Sequence, residues 1–268
     1  MPFPVISKQD ILQSLKTVGV VAGDQIYVAS FTPILGITEK LLPETISALQ
    51  EAVSPSGTLI MPAFNWDYCK TGFFHHAETP SQVGILTEAF RKSSGVARTV
   101  TPPWNTFCAW GNQANSIKQI QAHTAFGADS VTQYLVDHNV KFLLLGCNYN
   151  DGCILVHWLE EKLRVPYRNL KKFIGKVQLQ DSLIDDESTM YARDFIINPV
   201  LDSSPFTNVF DTTSAVKKSK LGLGTVRCFS SLDYIRFMTP YLEKDLICLL
   251  TPESRARYEN GKLQKEEK

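Results

Sequence analysis

A chain of 268 residues with 44% hydrophobic and 20% charged side chains holds ample material for one large core, and its 27 basic and 27 acidic residues cancel. With no net positive field and no basic stripe longer than Arg168 to Lys172, nucleic-acid binding by phosphate neutralisation is excluded. No segment reaches the roughly 18 apolar residues of a membrane span, and Met1-Pro2-Phe3-Pro4 lacks a leader pattern, so no membrane partner and a cytoplasmic location are expected.

Ser7 with Asp10 three residues later opens an amphipathic stretch carrying Ile11, Leu12, Leu15 and Val18, which reads as a helix with a capping box. Gln25 to Ser30 reads as a strand, Pro43 to Val53 as a helix, and Pro55-Ser56-Gly57 as a turn into the strand Thr58 to Met61. A helix near Val83 to Lys92, an apolar segment Phe107 to Gly111, a helix Ser130 to Asp137 and a strand Lys141 to Gly146 follow. This alternation predicts a three-layer α/β/α sandwich around a mixed, largely parallel sheet.

Beyond Pro166 the texture changes to an antiparallel extension, Phe173 to Leu179 and Met190 to Ile197, turning at Asp185-Asp186-Glu187. Helices are expected near Val209 to Lys218 and Leu232 to Leu242, with Gly224 to Ser230 as a strand between them. A charged tail from about Glu253 should fray, and residues 1–268 read as one domain.

The chemistry concentrates on His157, in a helix that follows the apolar strand ending at Gly146. Residues three and four apart share a helix face, which puts Glu160, and just around it Glu161, beside the imidazole. A histidine among Val156, Trp158 and Leu159 also fits a core position, with the acids as a solvated flank. As a general base, neutral His157 could take a proton from an incoming nucleophile. Glu160, or Asp194 on the later strand, could accept its other N–H.

Several blocks in succession carry a resemblance: Tyr27 to Ser30 leading to Gly36, Gly57 to Phe64, Thr79 to Gly84, His123 with Phe126-Gly127 and Ser130, and Leu143 to Glu160. Over roughly residues 5 to 250 they resemble the aminoglycoside 3-N-acetyltransferase family. The resemblance implies an α/β/α fold and transfer of acetyl from acetyl-CoA to a sugar amine. It implies His157 as the catalytic histidine and Glu160 as its acid. It implies pantetheine and acyl contacts at Ser30, Phe31, Thr32, Pro62, Ala63, Phe64 and Ser130. For the acceptor it implies Asn65, Tyr68, Glu78, His123, Phe126 and Asn148. The chain departs from the family at Ala29 and Phe31, at Ile154, and in Arg98 to Pro103, where a histidine-proline pair is usual. These departures, with Val165 to Arg168 and Lys171 to Phe173, point away from aminoglycosides and toward the surface-polysaccharide subgroup. The expected partners are then acetyl-CoA and a nucleotide-linked amino sugar, with aminoglycoside 3-N-acetylation as the alternative activity, and a homodimer is compatible with this.

Other chemistries are weighed against that reading. Cys153, four residues before His157, could be a thiolate nucleophile. The six cysteines, Cys69, Cys108, Cys147, Cys153, Cys228 and Cys248, otherwise read as reduced core thiols. His75, His76 and Glu78 with Cys69 lack standard ligand spacing, so no metal is expected; Tyr68, Phe73 and Phe74 are expected to line a cleft. Gly222-Leu223-Gly224 lacks the context of a dinucleotide fingerprint. A homologue that keeps the fold and binds acyl-CoA or sugar without turnover is the non-enzymatic alternative.

Overall fold

The computed structural model describes residues 5–194 and 196–266. Helix α1 (Lys8–Thr17) starts with the expected capping box: Ser7 Oγ accepts from the Asp10 N–H, and the Asp10 carboxylate accepts from the Ser7 N–H. Strand β1 (Gln25–Ser30), helices α2 (Thr32–Leu35) and α3 (Leu42–Val53), and β2 (Thr58–Pro62) follow. Next come α4 (Tyr68–Thr71), β3 (Phe73–His75), α5 (Ile85–Arg91), β4 (Ala97–Arg98), β5 (Phe107–Gly111) and α6 (Ala114–Lys118). Helix α7 (Val131–Asp137) leads to β6 (Lys141–Leu145), then α8 (Tyr149–Gly152) and α9 (Leu155–Lys162). A long hairpin, β7 (Arg168–Gln178) and β8 (Leu183–Arg193), precedes α10 (Ser204–Phe210), β9 (Lys217–Leu221), β10 (Gly224–Ser230), α11 (Ser231–Lys244) and α12 (Pro252–Glu266).

The main sheet has the order β4-β5-β2-β1-β6-β10-β9. At its centre β1 pairs in parallel with β2 and β6, while β5 and β10 run the other way; β4 and β9, antiparallel to those two, regain the common direction. Side chains alternate across it. Tyr27, Ala29, Phe142 and Leu144 face one core; Ile26, Val28, Leu143 and Leu145 face the other. The first core is covered by α7, α9 and α11 through Leu135, Leu159 and Met238. Helices α1, α3 and α5 cover the second through Leu15, Leu49 and Phe90. This is the three-layer arrangement expected from the alternation.

A second sheet, β3-β7-β8, carries the antiparallel extension, after which the chain returns to the main sheet. Its β3–β7 pairing is close enough that a Cβ on Gly175 would lie 2.2 Å from the Gly72 carbonyl oxygen. The acidic triplet does not make the turn. Residues 179–182 turn the chain, and Asp185, Asp186 and Glu187 lie within β8, opposite Lys176, Gly175 and Ile174. Lys176 and Lys172 neutralise Asp185 and Glu187, each at 2.6 Å, so the triplet can be a strand.

Two further expectations are corrected. Lys217–Leu221 is the edge strand β9, and the helix lies earlier, at Ser204–Phe210, where Pro205 takes a first-turn position. Exposed Lys217, Lys218 and Lys220 blunt that edge. The tail expected to fray forms α12, whose Ser254 and Tyr258 are buried.

Candidate active site

The chain passes from β1 to β2 on one side and later to β6 on the other, so β1 marks a topological switch. In open α/β sheets ligands bind at the carboxyl ends of the strands at such a point. Here Ser30, Pro62 and Leu145 end the three parallel strands. Gly146 ends β6 with φ +75°, and a Cβ there would lie 2.8 Å from the Phe31 carbonyl oxygen, so only glycine fits this turn beside β1. Two short helices follow, and the second presents His157 in its first turn.

His157 Nδ1 lies 2.7 Å from Glu160 Oε2, the pair that helical spacing predicts. The imidazole is partly open, with 36% of its side chain exposed, whereas Glu160 is wholly buried. Arg168, the first residue of β7, brings its Nη2 to 2.8 Å from the same Oε2. Tyr167 donates its hydroxyl to Oε1 at 2.8 Å. Burial pushes the Glu160 carboxyl up, but the hydrogen bond and charge of His157 and the charge of Arg168 outweigh it and hold the group below its ordinary value. Arg168 Nη2 also lies 3.0 Å from His157 Nδ1, but the shorter contact to the Glu160 carboxylate favours the tautomer with its proton on Nδ1 and leaves Nε2 as the acceptor. Arg168 Nη1 also donates to the Tyr191 carbonyl at 3.2 Å, tying the hairpin root to the site. Arg168 and Tyr167 are the functional neighbours that sequence reasoning missed as such; long-range contact leaves no local signal.

Phe126 is brought against His157, ring centroids 5.8 Å apart. His123, exposed on the same loop, accepts the Thr189 N–H of β8 through its carbonyl at 2.7 Å. Ser30 is half-buried at the crevice. Phe31 is 53% exposed, and it and Asn148 line a cavity of about 400 Å³ with Gly146, Cys147 and Arg227. Asn148 also caps α8 by accepting the Asp151 N–H at 2.9 Å.

The other expected site residues have structural partners within the fold. Asp194 is no partner of His157: its Oδ1 accepts the Ile196 N–H and its Oδ2 the Asn169 side-chain N–H. Ser130 is buried, accepting from the Gln133 N–H and donating to the Gly127 carbonyl as the cap of α7. Thr32, Pro62, Ala63 and Phe64 are buried in the element ends around the crevice. Asn65 is buried too, donating to the Pro80 carbonyl and accepting the Asp67 N–H. Tyr68 and Phe74 are buried and offer no stacking surface; the Tyr68 hydroxyl donates to Asp186. Phe73 and Trp66 are the exposed rings of this region, and Trp66 stacks on Trp104 at 6.1 Å. Glu78 is exposed beside His75 at 3.8 Å. Among the described residues no group of three His, Cys, Asp or Glu side chains could hold a metal ion. No helix of these residues is long and apolar enough to cross a membrane.

Cys153 is buried, and burial pushes its thiol up to about 12, far from a thiolate at neutral pH. The arrangement therefore supports proton transfer at His157 and not thiol attack.

Among known proteins the chain is similar to the SPbeta prophage-derived aminoglycoside N(3')-acetyltransferase-like protein YokD of Bacillus subtilis (strain 168), 23% identical over 255 residues covering 86% of this chain and 90% of that one. The crystal structure of YokD superposes with a TM-score of 0.75 at 21% identity, over 91% of this chain and 96% of that one. The apoenzyme of aminoglycoside acetyltransferase AAC(3)-IVa gives 0.74 at 21% identity, over 96% and 98%. AAC-IIIb in its binary complex with CoASH gives 0.75 at 18% identity, over 89% and 97%. These likenesses establish a shared fold. Residues 14–243 match the family model of aminoglycoside 3-N-acetyltransferase, and the chain belongs to that family of acetyl-CoA-dependent N-acetyltransferases.

Proposed function

We propose that the protein transfers the acetyl group of acetyl-CoA directly to an amine of an aminoglycoside, with His157 as the general base. The observation that carries this reading is the His157–Glu160 pair at the carboxyl ends of the parallel strands, 2.7 Å apart and backed by Arg168. The relatives that match are named for aminoglycoside N-acetylation, so the acceptor reading moves from a nucleotide-linked amino sugar to an aminoglycoside.

In this mechanism the acceptor ammonium first loses one proton to water, His157 Nε2 removes a second as the amine attacks, and Glu160 stabilises the imidazolium that forms. The amine nitrogen bonds to the thioester carbonyl carbon, and the carbon–sulfur bond breaks. The CoA thiolate leaves with its electron pair and is protonated by the imidazolium or by water. Ser30, at the end of β1, is partly open, and it is assigned to the acetyl-CoA side.

The test is CoA release from acetyl-CoA in the presence of gentamicin or sisomicin, with binding of acetyl-CoA followed by calorimetry. His157→Ala should lose at least about a hundredfold in turnover while still binding acetyl-CoA. Binding of acetyl-CoA by the wild type with no transfer to any amine would show the non-catalytic homologue instead.

A further inference from the structure

Four of the exposed large apolar side chains gather on one face of the small sheet: Phe73 of β3, Leu170 and Ile174 of β7, and Leu183 at the start of β8, between 50% and 69% exposed. Successive residues of a strand point to opposite sides, and the other side of this sheet packs Phe74, Phe173 and Val177 into the core. An antiparallel hairpin with one covered face ordinarily turns polar side chains outward. This one alternates apolar with charged: Leu170, Lys172, Ile174 and Lys176 run along β7, with Glu187, Asp185 and Leu183 beside them along β8. Pairing sets Ile174 opposite Glu187 and Lys176 opposite Asp185, and Phe73 flanks Lys176 from β3. Lys172 is neutralised across the hairpin by Glu187, and Lys176 by Asp185. The face thus has an apolar centre and four charges that cancel, with one sign on each strand.

A surface of this pattern is complementary to itself in one arrangement. A second copy, turned about a two-fold axis parallel to the strands and midway between β7 and β8, lays its β7 over this β8 and its β8 over this β7. Lysines then meet carboxylates: Lys176 of each copy lies over Asp185 of the other, and the two Ile174 side chains meet at the axis. A two-fold axis across the strands lays each strand over its own counterpart, lysine on lysine, so the charge pattern admits the first arrangement and rejects the second. Edge-to-edge joining through β8 sets Asp185 and Glu187 against the same acids of the second copy, and is rejected likewise. We infer that this sheet face is the contact of a homodimer, two copies stacked face to face through β7 and β8. Charges that are already paired are not stranded when the contact closes, and burial of Ile174 and its apolar neighbours drives it.

Sedimentation velocity of the full chain, at concentrations up to about 100 μM, should give twice the mass of a single chain. Ile174→Arg puts a charge at the centre of the contact and should weaken self-association about a hundredfold or more, with the circular dichroism of the wild type retained because the position is open in the single chain. Val21→Arg, at an equally open position between α1 and β1, should leave the dimer intact. A charge exchange reads the arrangement itself. Lys176→Asp alone and Asp185→Lys alone should each be monomeric, since each sets like charges against one another across the axis. Mixed in equal amounts, the two variants carry opposite charges at both crossings and should sediment together as a heterodimer, a recovery that misfolded variants could not produce. A monomeric wild type would leave the face to solvent or to another partner and overturn the inference. So would a dimer that Ile174→Arg leaves unchanged, or charge variants that stay apart on mixing.

Discussion

Tyr167 donates its hydroxyl to Glu160 Oε1 at 2.8 Å, on the oxygen opposite the one that serves His157. The buried carboxylate is thus held at both ends, by a phenol on one oxygen and by imidazole and guanidinium on the other. Such a group has one orientation, and so does the imidazole it holds. Tyr167→Phe should lower turnover roughly tenfold, the rate equivalent of about 1.4 kcal/mol, with KM for acetyl-CoA unchanged. Steady-state kinetics on the variant checks it.

Arg98 is buried and none of its hydrogen bonds goes to a carboxylate: it donates to the carbonyls of His76, Thr79 and Ala63 and to Thr106 Oγ1. Burial pushes its guanidinium down to about 10, still charged at neutral pH. It fastens the end of β2 to the loop before α5, both beside the crevice. Arg98→Met should cost about 3 kcal/mol or more by stranding these acceptors, and Arg98→Lys should recover only part, since an ammonium cannot reproduce the fork. Urea midpoints of the two variants give the comparison.

The thiol of Cys153 should resist alkylation by iodoacetamide in the native protein at pH 7.5, because burial has pushed it up to about 12. Cys153→Ala should keep turnover within about threefold, the mark of a packing residue rather than a nucleophile. A hundredfold loss would revive the thiol mechanism.

Glu88 carries the clearest pH dependence. Burial pushes its carboxyl up, yet hydrogen bonds from Arg91, the Ser81 N–H and Lys92 prevail and bring it down to about 2. A folded value below the unfolded 4.5 means a contribution fully present above pH 4.5 and lost as pH falls toward 2. Partial exposure screens it to on the order of 1 kcal/mol. The urea midpoints of the wild type and Glu88→Gln should therefore differ at pH 7 and converge as the pH falls from 4.5 toward 2.

Much of the layered frame was legible because the chain punctuates it. Apolar runs such as Phe142 to Leu145 stop at glycines whose backbone the fold needs, and β1, β5 and β10 fall where their residues predict. His157 and Glu160 were legible for the same reason, since helical spacing is a local rule. Arg168 was not, because what makes it part of the site is an approach across the start of a hairpin. The acidic triplet misled because its partners, Lys172 and Lys176, stand on the other strand. Asp194 misled for a related reason: a polar side chain spent on a turn looks, in sequence, like one free to meet an imidazole.

The β7–β8 hairpin has its root at Arg168, bonded to Glu160, while farther along the same ribbon Thr189 grips the loop that carries Phe126. One ribbon therefore joins the helix of His157 to the loop that packs Phe126 against it, so the two sides of the imidazole are linked through the hairpin as well as through the main sheet.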